Sequence, residues 1–160
     1  MSLGGGGGGG GQQQLQQLSQ ELQAIDEEIE ELEGEIEDLE TEQNEIDEAI
    51  EAIETLESGS TVQVPLGGGA YLRAEIQDID EVIVGLGGGY AAEQPQDAAI
   101  DALENKQELL DDQIETVEGQ IDELEAESDE IEQQAQQLQQ QMQQQQMQQM
   151  QQMQQADDDE

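Results

Sequence analysis

Leucine and isoleucine recur at alternating steps of three and four residues in two long segments of the chain. In the first segment, eleven of twelve such positions carry Leu or Ile, and Gln43 is the exception. A heptad repeat of this kind buries one stripe of a helix, the seam, against a partner helix. The pattern predicts a coiled-coil helix over residues 12–57, with its seam at Leu15, Leu18, Leu22, Ile25, Ile29, Leu32, Ile36, Leu39, Gln43, Ile46, Ile50 and Ile53.

A second seam with the same period predicts another helix over residues 97–152. The two helices are joined by a connector long enough for an antiparallel hairpin. If facing residues have numbers that sum to 153, every layer is matched, from Leu15 against Leu138 to Ile53 against Ile100. Registers shifted by a heptad leave more of the seam unpaired. The second seam comprises Ile100, Leu103, Gln107, Leu110, Ile114, Val117, Ile121, Leu124, Ser128, Ile131, Ala135 and Leu138.

This register brings two pairs of unusual residues together. Gln43 and Gln107 occupy adjacent layers and form a polar notch in the seam. Gly34 lies opposite Gly119, and both occupy outward positions. Glycine is about 1 kcal/mol less favourable than alanine inside a helix. The glycine pair is therefore either a shared point of flexure or two tolerated surface residues.

The connector, residues 58–96, changes to a period of two, which is typical of β-strands. Triple glycines at 67–69 and 87–89 suit tight turns with positive φ. The segments VPLGGGAY (64–71) and VGLGGGYA (84–91) form an internal repeat. The predicted fold class is therefore α+β, a long antiparallel two-helix coiled coil with two tandem β-hairpins between its helices. The apolar strand residues are Val62, Val64, Leu66, Leu72, Ile76, Val82, Val84 and Leu86.

Two hairpins of this size cannot be stable in isolation. An isolated hairpin is marginal in water, and its open edges accept further strands. A narrow coiled coil cannot cover the apolar face of both hairpins. The sequence therefore predicts an obligate oligomer that assembles through the apolar strand residues.

Glutamine dominates residues 133–155, and four of the five methionines lie in this stretch. In the register above, Met142 faces Gly11, and Met147, Met150 and Met153 face only the N-terminal glycine tract (residues 1–11) or nothing. Methionine is flexible and is common where one surface accepts many apolar shapes. This favours a binding tip, with a frayed low-complexity tail as the alternative. We expect residues 1–11 to be a flexible glycine tract and residues 153–160 an acidic tail.

The charge of the chain limits its partners. With 42 acidic and 2 basic residues, the net charge of −40 excludes nucleic acid and anionic membranes. No apolar run approaches the ~20 residues of a membrane span, and no signal peptide is evident, so we expect a cytoplasmic protein. Such acidity is typical either of a disordered polymer or of a folded halophilic protein. The regular seam favours the halophilic protein, since the Debye length falls to about 3 Å in 1 M salt.

The composition also limits the chemistry. The chain has no histidine and no cysteine, which excludes thiol nucleophiles, imidazole bases and the Glu-x-x-His pattern of di-metal bundles. The glycine-rich stretch at 85–90 lacks the lysine and the following helix of a nucleotide-binding loop. We therefore predict a protein that is not an enzyme and has no cofactor or metal site.

Two predicted long helices flank two glycine turns, VPLGGG (64–69) and VIVGLGGGY (82–90). With this arrangement, the chain resembles the alpha subunits of archaeal prefoldins over roughly residues 12–155. The acidity resembles haloarchaeal members, and the family's beta subunits have one hairpin instead of two. The resemblance implies that two alpha and four beta subunits join their hairpins in a double β-barrel platform.

The same resemblance implies a chaperone that holds unfolded proteins without ATP and delivers them to a group II chaperonin. It implies that clients bind at the tips of the coiled coils. The alternative is a structural coiled-coil spacer that binds no clients. The implied tip residues are Met142, Met147, Met150 and Met153, with Leu15, Leu18 and Leu138 beside them.

Overall fold

The computed structural model describes residues 9–157, which form two helices and four strands. Each pair of strands forms a separate two-stranded antiparallel sheet. This confirms two long helices with two hairpins between them. The elements in chain order are α1 (Gly9–Thr55), β1 (Thr61–Gly67), β2 (Ala70–Glu75), β3 (Val82–Gly87), β4 (Tyr90–Gln94) and α2 (Gln96–Asp157).

The chain divides into two compact units. The first consists of the described parts of Met1–Gly34 and Val117–Glu160, and the second is Glu35–Thr116. In both units every seam position of the helices is buried or half-buried, whereas nearly all charged helix positions are exposed. The heptad stripe therefore forms the core, as expected for a coiled coil. Its most buried members are Ile25, Val117 and Ile131 in the first unit and Ile46 and Leu110 in the second.

Contacts within the first unit support the antiparallel register whose residue numbers sum to 153. Gly11 lies directly against Met142, since a Cβ atom added to Gly11 would stand 2.9 Å from the Met142 Sδ. Met142 is half-buried there. The seam thus continues for one layer beyond Leu15 and Leu138.

The second unit shows the polar notch in the same register. Gln43 Nε2 donates a hydrogen bond of 2.5 Å to Asp111 Oδ1, and Gln107 Nε2 donates to Asp47 Oδ1. Each glutamine therefore turns its amide to the edge of the seam, where an acidic residue of the other helix accepts it. Both glutamine side chains avoid burying an unpaired amide in this way.

α1 begins earlier and α2 ends later than the heptad pattern predicts, whereas α1 ends at Thr55, before its expected end at residue 57. Residues 9–11 belong to α1, although we expected the glycine tract to be flexible, and the packing of Gly11 against Met142 offsets the low helix preference of glycine. α2 continues to Asp157, past its expected end at residue 152, because the Gln, Met and Ala residues there are good helix formers. The remainder of the expected tract (1–8) and acidic tail (158–160) lies outside the described residues.

The two hairpins repeat one conformation. β1 pairs with β2 and β3 with β4, and each ladder shifts register just before its glycine turn. The φ angles are 97°, 61° and 81° at residues 67–69 and 88°, 60° and 82° at residues 87–89. Positive φ at both central residues of a two-residue loop is typical of a type I′ turn, which glycine favours. The internal sequence repeat is therefore also a structural repeat.

Hydrogen bonds tie the hairpins to the helix ends. The Gly59 amide donates to the Ile76 carbonyl at 2.7 Å, and the Ile79 amide donates to the Ser58 hydroxyl at 3.1 Å. The Asp80 carboxylate lies 3.5 Å from the amide of Gln96, the first residue of α2. A carboxylate at this position stabilises a helix N-terminus. The connection between β2 and β3 thus helps to begin α2.

Candidate functional site

The first hairpin presents one apolar face that is largely open. Val64 pairs with Leu72 across the strands, and Leu66 follows on the same side. The exposed fractions of these three residues are 40%, 56% and 65%. Val62 and Ile76 are half-buried. Three of the five predicted assembly residues of this hairpin are therefore available for contact with another chain.

The second hairpin is partly covered. Val84 is buried, Val82 is half-buried, and Ala99 in the first turns of α2 has an exposed fraction of 0%. Leu86, nearest the turn, is exposed. Ile83 is also exposed, on the face opposite Val84. This hairpin therefore presents apolar side chains on both faces.

A cavity of about 420 Å³ lies between the turn of the second hairpin and the helices of the same unit. Leu86 and the exposed Leu109 border it. Lys106 also lines the cavity and forms an ion pair of 2.8 Å with Glu42. Its complete lining is Glu42, Gly85, Leu86, Gly87, Ala102, Asn105, Lys106, Leu109, Leu110 and Gln113.

Sequence reasoning did not select Ile83 or Leu109, although each leaves a signal. Ile83 lies in the run Val82-Ile83-Val84, where three successive apolar residues break the alternation of a strand with one polar face. Leu109 precedes Leu110, and only Leu110 fits the heptad seam. The exposed tyrosines Tyr71 and Tyr90 add to the apolar surface around the two turns.

The first unit contains the seven predicted tip residues, and the structure divides them into two groups. Leu15, Leu18, Leu138 and Met142 are half-buried members of the seam. Met147, Met150 and Met153 are exposed by 64%, 66% and 73%. We call residues 139–157 of α2 the Gln/Met segment.

The heptad positions of these residues explain why the structure divides them into two groups. The seam of α2 continues from Met142 through residues 145, 149 and 152, all of which are Gln. Met147, Met150 and Met153 fall on f, b and e positions, outside the a and d positions that form the seam. Residues spaced by three are neighbours on a helix surface, so these methionines form one apolar stripe. In the described part of the first unit, they are the large hydrophobic side chains that are exposed.

Within residues 9–157, no group of three or more acidic side chains lies close enough together to hold a metal ion. No helix in this part of the chain has an apolar stretch long enough to cross a membrane.

These features define a class of protein, a two-helix coiled coil whose tandem hairpins present apolar side chains. The model of the prefoldin subunit family matches residues 25–141, and the chain belongs to this family. Three relatives named prefoldin subunit alpha come from haloarchaea. The chain is 74% identical to that of Halorubrum lacusprofundi over 62% of its length and 69% identical to that of Haloarcula marismortui over 62%. It is 68% identical to that of Halobacterium salinarum over 69% of its length and 70% of the relative's.

The matches to the Halorubrum and Haloarcula proteins span 66% and 64% of those proteins, slightly less than two thirds. Among solved structures, the chain is similar to the filamentous PFD from Methanocaldococcus jannaschii, determined by cryo-EM. The TM-score is 0.62 at 26% identity, and the match covers 71% of this chain and 96% of the other. The likeness confirms the fold assigned from the sequence.

Proposed function

We propose that the chain is an alpha-type subunit of an ATP-independent chaperone that captures unfolded proteins at coiled-coil tips and passes them to a group II chaperonin. Membership of the prefoldin family supports the chaperone class, and the haloarchaeal alpha subunits support the subunit type. The observation that carries client binding is the exposed stripe of Met147, Met150 and Met153. The proposed compartment is the cytoplasm, whose salt would screen the acidic surface.

The stripe suits a ligand without fixed shape. Methionine has an unbranched, polarisable side chain that adapts to different apolar partners. Glutamine keeps the surrounding surface wettable without adding charge, so an apolar segment of a client is not repelled. Burial of one such side chain contributes about 1.5–3 kcal/mol, part of which is lost in ordering the client. Each tip therefore binds weakly, and several tips acting together hold the client reversibly.

The hairpins supply the means of joining several tips. We propose that two copies of this chain and four one-hairpin partner chains close a double β-barrel platform through their hairpins. The exposed row of Val64, Leu66 and Leu72 supports this assembly, since burial of the row would remove apolar surface from water. The free strand edges would also gain hydrogen-bonded partners.

The assembly is tested by native mass in about 2 M salt, where surface charge is screened. The chain is expected to form a hexamer when it is co-expressed with a one-hairpin partner. Replacement of Leu66 and Leu86 by Asp should abolish the hexamer and leave helicity intact. Gln63→Asp, on the other face of β1, should leave both the hexamer and the helicity intact. A hexamer that survives both Leu→Asp changes would contradict assembly through the hairpins.

Client capture is tested by suppression of aggregation of a chemically unfolded protein. Changing Met147, Met150 and Met153 to Gln should weaken suppression about tenfold, because the apolar stripe is lost while helix preference is kept. Changing the same residues to Leu should retain most of the activity. Full suppression by the Gln variant, with its hexamer intact, would contradict client binding at the stripe. The Gln/Met segment would then be a structural spacer that binds no clients.

A further inference from the structure

The exposed stripe consists entirely of thioethers, which gives it a chemistry that an aliphatic surface would lack. We propose that Met147, Met150 and Met153 form an oxidation site at which peroxides switch client binding off. The selective oxidation rests on the structure alone. Its consequence for clients rests on the proposed function.

Exposure separates these methionines from Met142. The three stripe residues are each at least 64% exposed, whereas Met142 is half-buried with its Sδ against Gly11. Their heptad positions differ as well, since Met142 occupies an a position of the seam and the stripe residues lie at f, b and e positions. A peroxide in solution therefore reaches the sulfur atoms of the stripe more easily than that of Met142.

The reaction needs no group beyond the thioether and the oxidant. A sulfur lone pair attacks one oxygen of hydrogen peroxide, the O–O bond breaks, and an S=O bond forms. The second oxygen leaves as hydroxide and takes the proton of the first to become water, so the sulfur is oxidised and the peroxide is reduced. The product, methionine sulfoxide, is polar, and methionine sulfoxide reductases reverse the change.

Among the described residues of this unit, oxidation would make every exposed large apolar side chain polar at once. In the described residues of the first unit, the exposed large hydrophobic side chains are these methionines, with no exposed Leu, Ile or Val to retain binding. The helix itself would remain, because none of the modified side chains occupies an a or d position of the seam. Oxidation therefore changes the surface of the Gln/Met segment and leaves the coiled coil in place.

The first measurement is the rate of sulfoxide formation at each methionine when the assembled complex is treated with hydrogen peroxide. Peptide-resolved mass spectrometry monitors the reaction. We expect Met147, Met150 and Met153 to react at least about fivefold faster than Met142. Circular dichroism should show unchanged helicity after the fast phase. Equal rates at all four positions, or loss of helix during the fast phase, would overturn the proposal.

The second measurement is aggregation suppression before and after peroxide treatment. Oxidised complex should lose about tenfold in capacity and regain it after treatment with the two sulfoxide reductases. The variant M147L/M150L/M153L should have the same capacity before and after peroxide, whatever its untreated value, which controls for oxidation of partner chains. Undiminished suppression by fully oxidised wild type would overturn the switch while leaving the proposed function standing. Failure of untreated wild type to suppress aggregation would instead overturn the proposed function, and the switch with it.

Discussion

Gly119 and Gly68 both have open space where a Cβ atom would stand, yet a methyl group has opposite effects at the two positions. Gly119 lies inside α2, where glycine is about 1 kcal/mol less favourable than alanine. Gly68 has a φ of 61°, in the left-handed region that costs other residues about 1–2 kcal/mol. The backbone conformation, and not the available space, decides the sign of the change.

We therefore expect Gly119→Ala to raise the free energy of unfolding by about 1 kcal/mol. Gly68→Ala should lower the opening free energy of the β1–β2 hairpin by about 1–2 kcal/mol. Amide hydrogen exchange measures both, in α2 and in the β1–β2 ladder respectively. Gly68→Asn is the matched control and should be milder, since Asn tolerates the left-handed region. Stabilisation by both alanine substitutions would contradict this account.

The contact of Met142 could be predicted from the sequence, whereas the exposure of the other three methionines could not. The heptad register predicted that Met142 would face Gly11, and the structure confirms the contact. Composition drew attention to the other methionines, but their exposure depends on α2 remaining helical to Asp157. That continuation has no seam partner among the described residues and follows only from local helix preference, which is a weak predictor by itself.

At the scale of the elements, the polar notch lowers stability without setting the register. Gln43 and Gln107 place amides where Leu or Ile would bury more apolar surface, and their hydrogen bonds to Asp111 and Asp47 are exposed. Exposed hydrogen bonds of this kind contribute only about 0.5–1.5 kcal/mol. Because the e positions one heptad away are also acidic (Glu104 and Glu118 on α2), a shifted register would offer the same acceptors. The matched apolar layers must therefore fix the register.

The double change Gln43→Leu with Gln107→Leu should accordingly raise the free energy of unfolding by about 1–3 kcal/mol and leave the register unchanged. The chain has no cysteine, so introduced pairs report the register without background. Cysteines replacing Leu22 and Ile131 should form a disulfide in both the parent and the double variant. Cysteines replacing Leu22 and Leu124 test the shifted register, and a disulfide there in the double variant would mean that the notch sets the register.

The strands were predicted from alternation and glycine turns, whereas the burial of individual strand residues was not. Val64 and Val84 occupy equivalent positions in the internal repeat, yet Val64 is exposed and Val84 is buried. Residues of the second hairpin and of the first turns of α2 line one cavity, and Ala99 in these turns is also buried. The local sequences of the two repeats are similar, so the different burial of the two valines reflects the tertiary arrangement.

At the scale of the whole molecule, electrostatic repulsion opposes the packing of the seam. The chain has 42 acidic and 2 basic residues, and the pair of Lys106 with Glu42 is exposed, so it contributes little. In the first unit, acidic e positions border the seam on both helices, at Asp26 and Glu33 and at Glu118 and Glu125. Repulsion across this edge is screened at about 1 M salt, where the Debye length is about 3 Å, but not at 0.1 M, where it is about 10 Å.

Lowering the salt concentration should therefore unfold the helices, and the position of a charge should matter as well as the total. We expect Glu118→Gln with Glu125→Gln to reduce the salt concentration at the midpoint of unfolding about twofold, measured by circular dichroism. Asp122→Asn with Glu123→Gln removes the same charge from outward positions of the same helix and should have a clearly smaller effect. Salt also strengthens apolar burial, but it does so equally in both variants, so their difference isolates repulsion across the seam. Equal shifts would mean that net charge alone governs stability, and full helicity of the parent at low salt would show that apolar packing outweighs the repulsion.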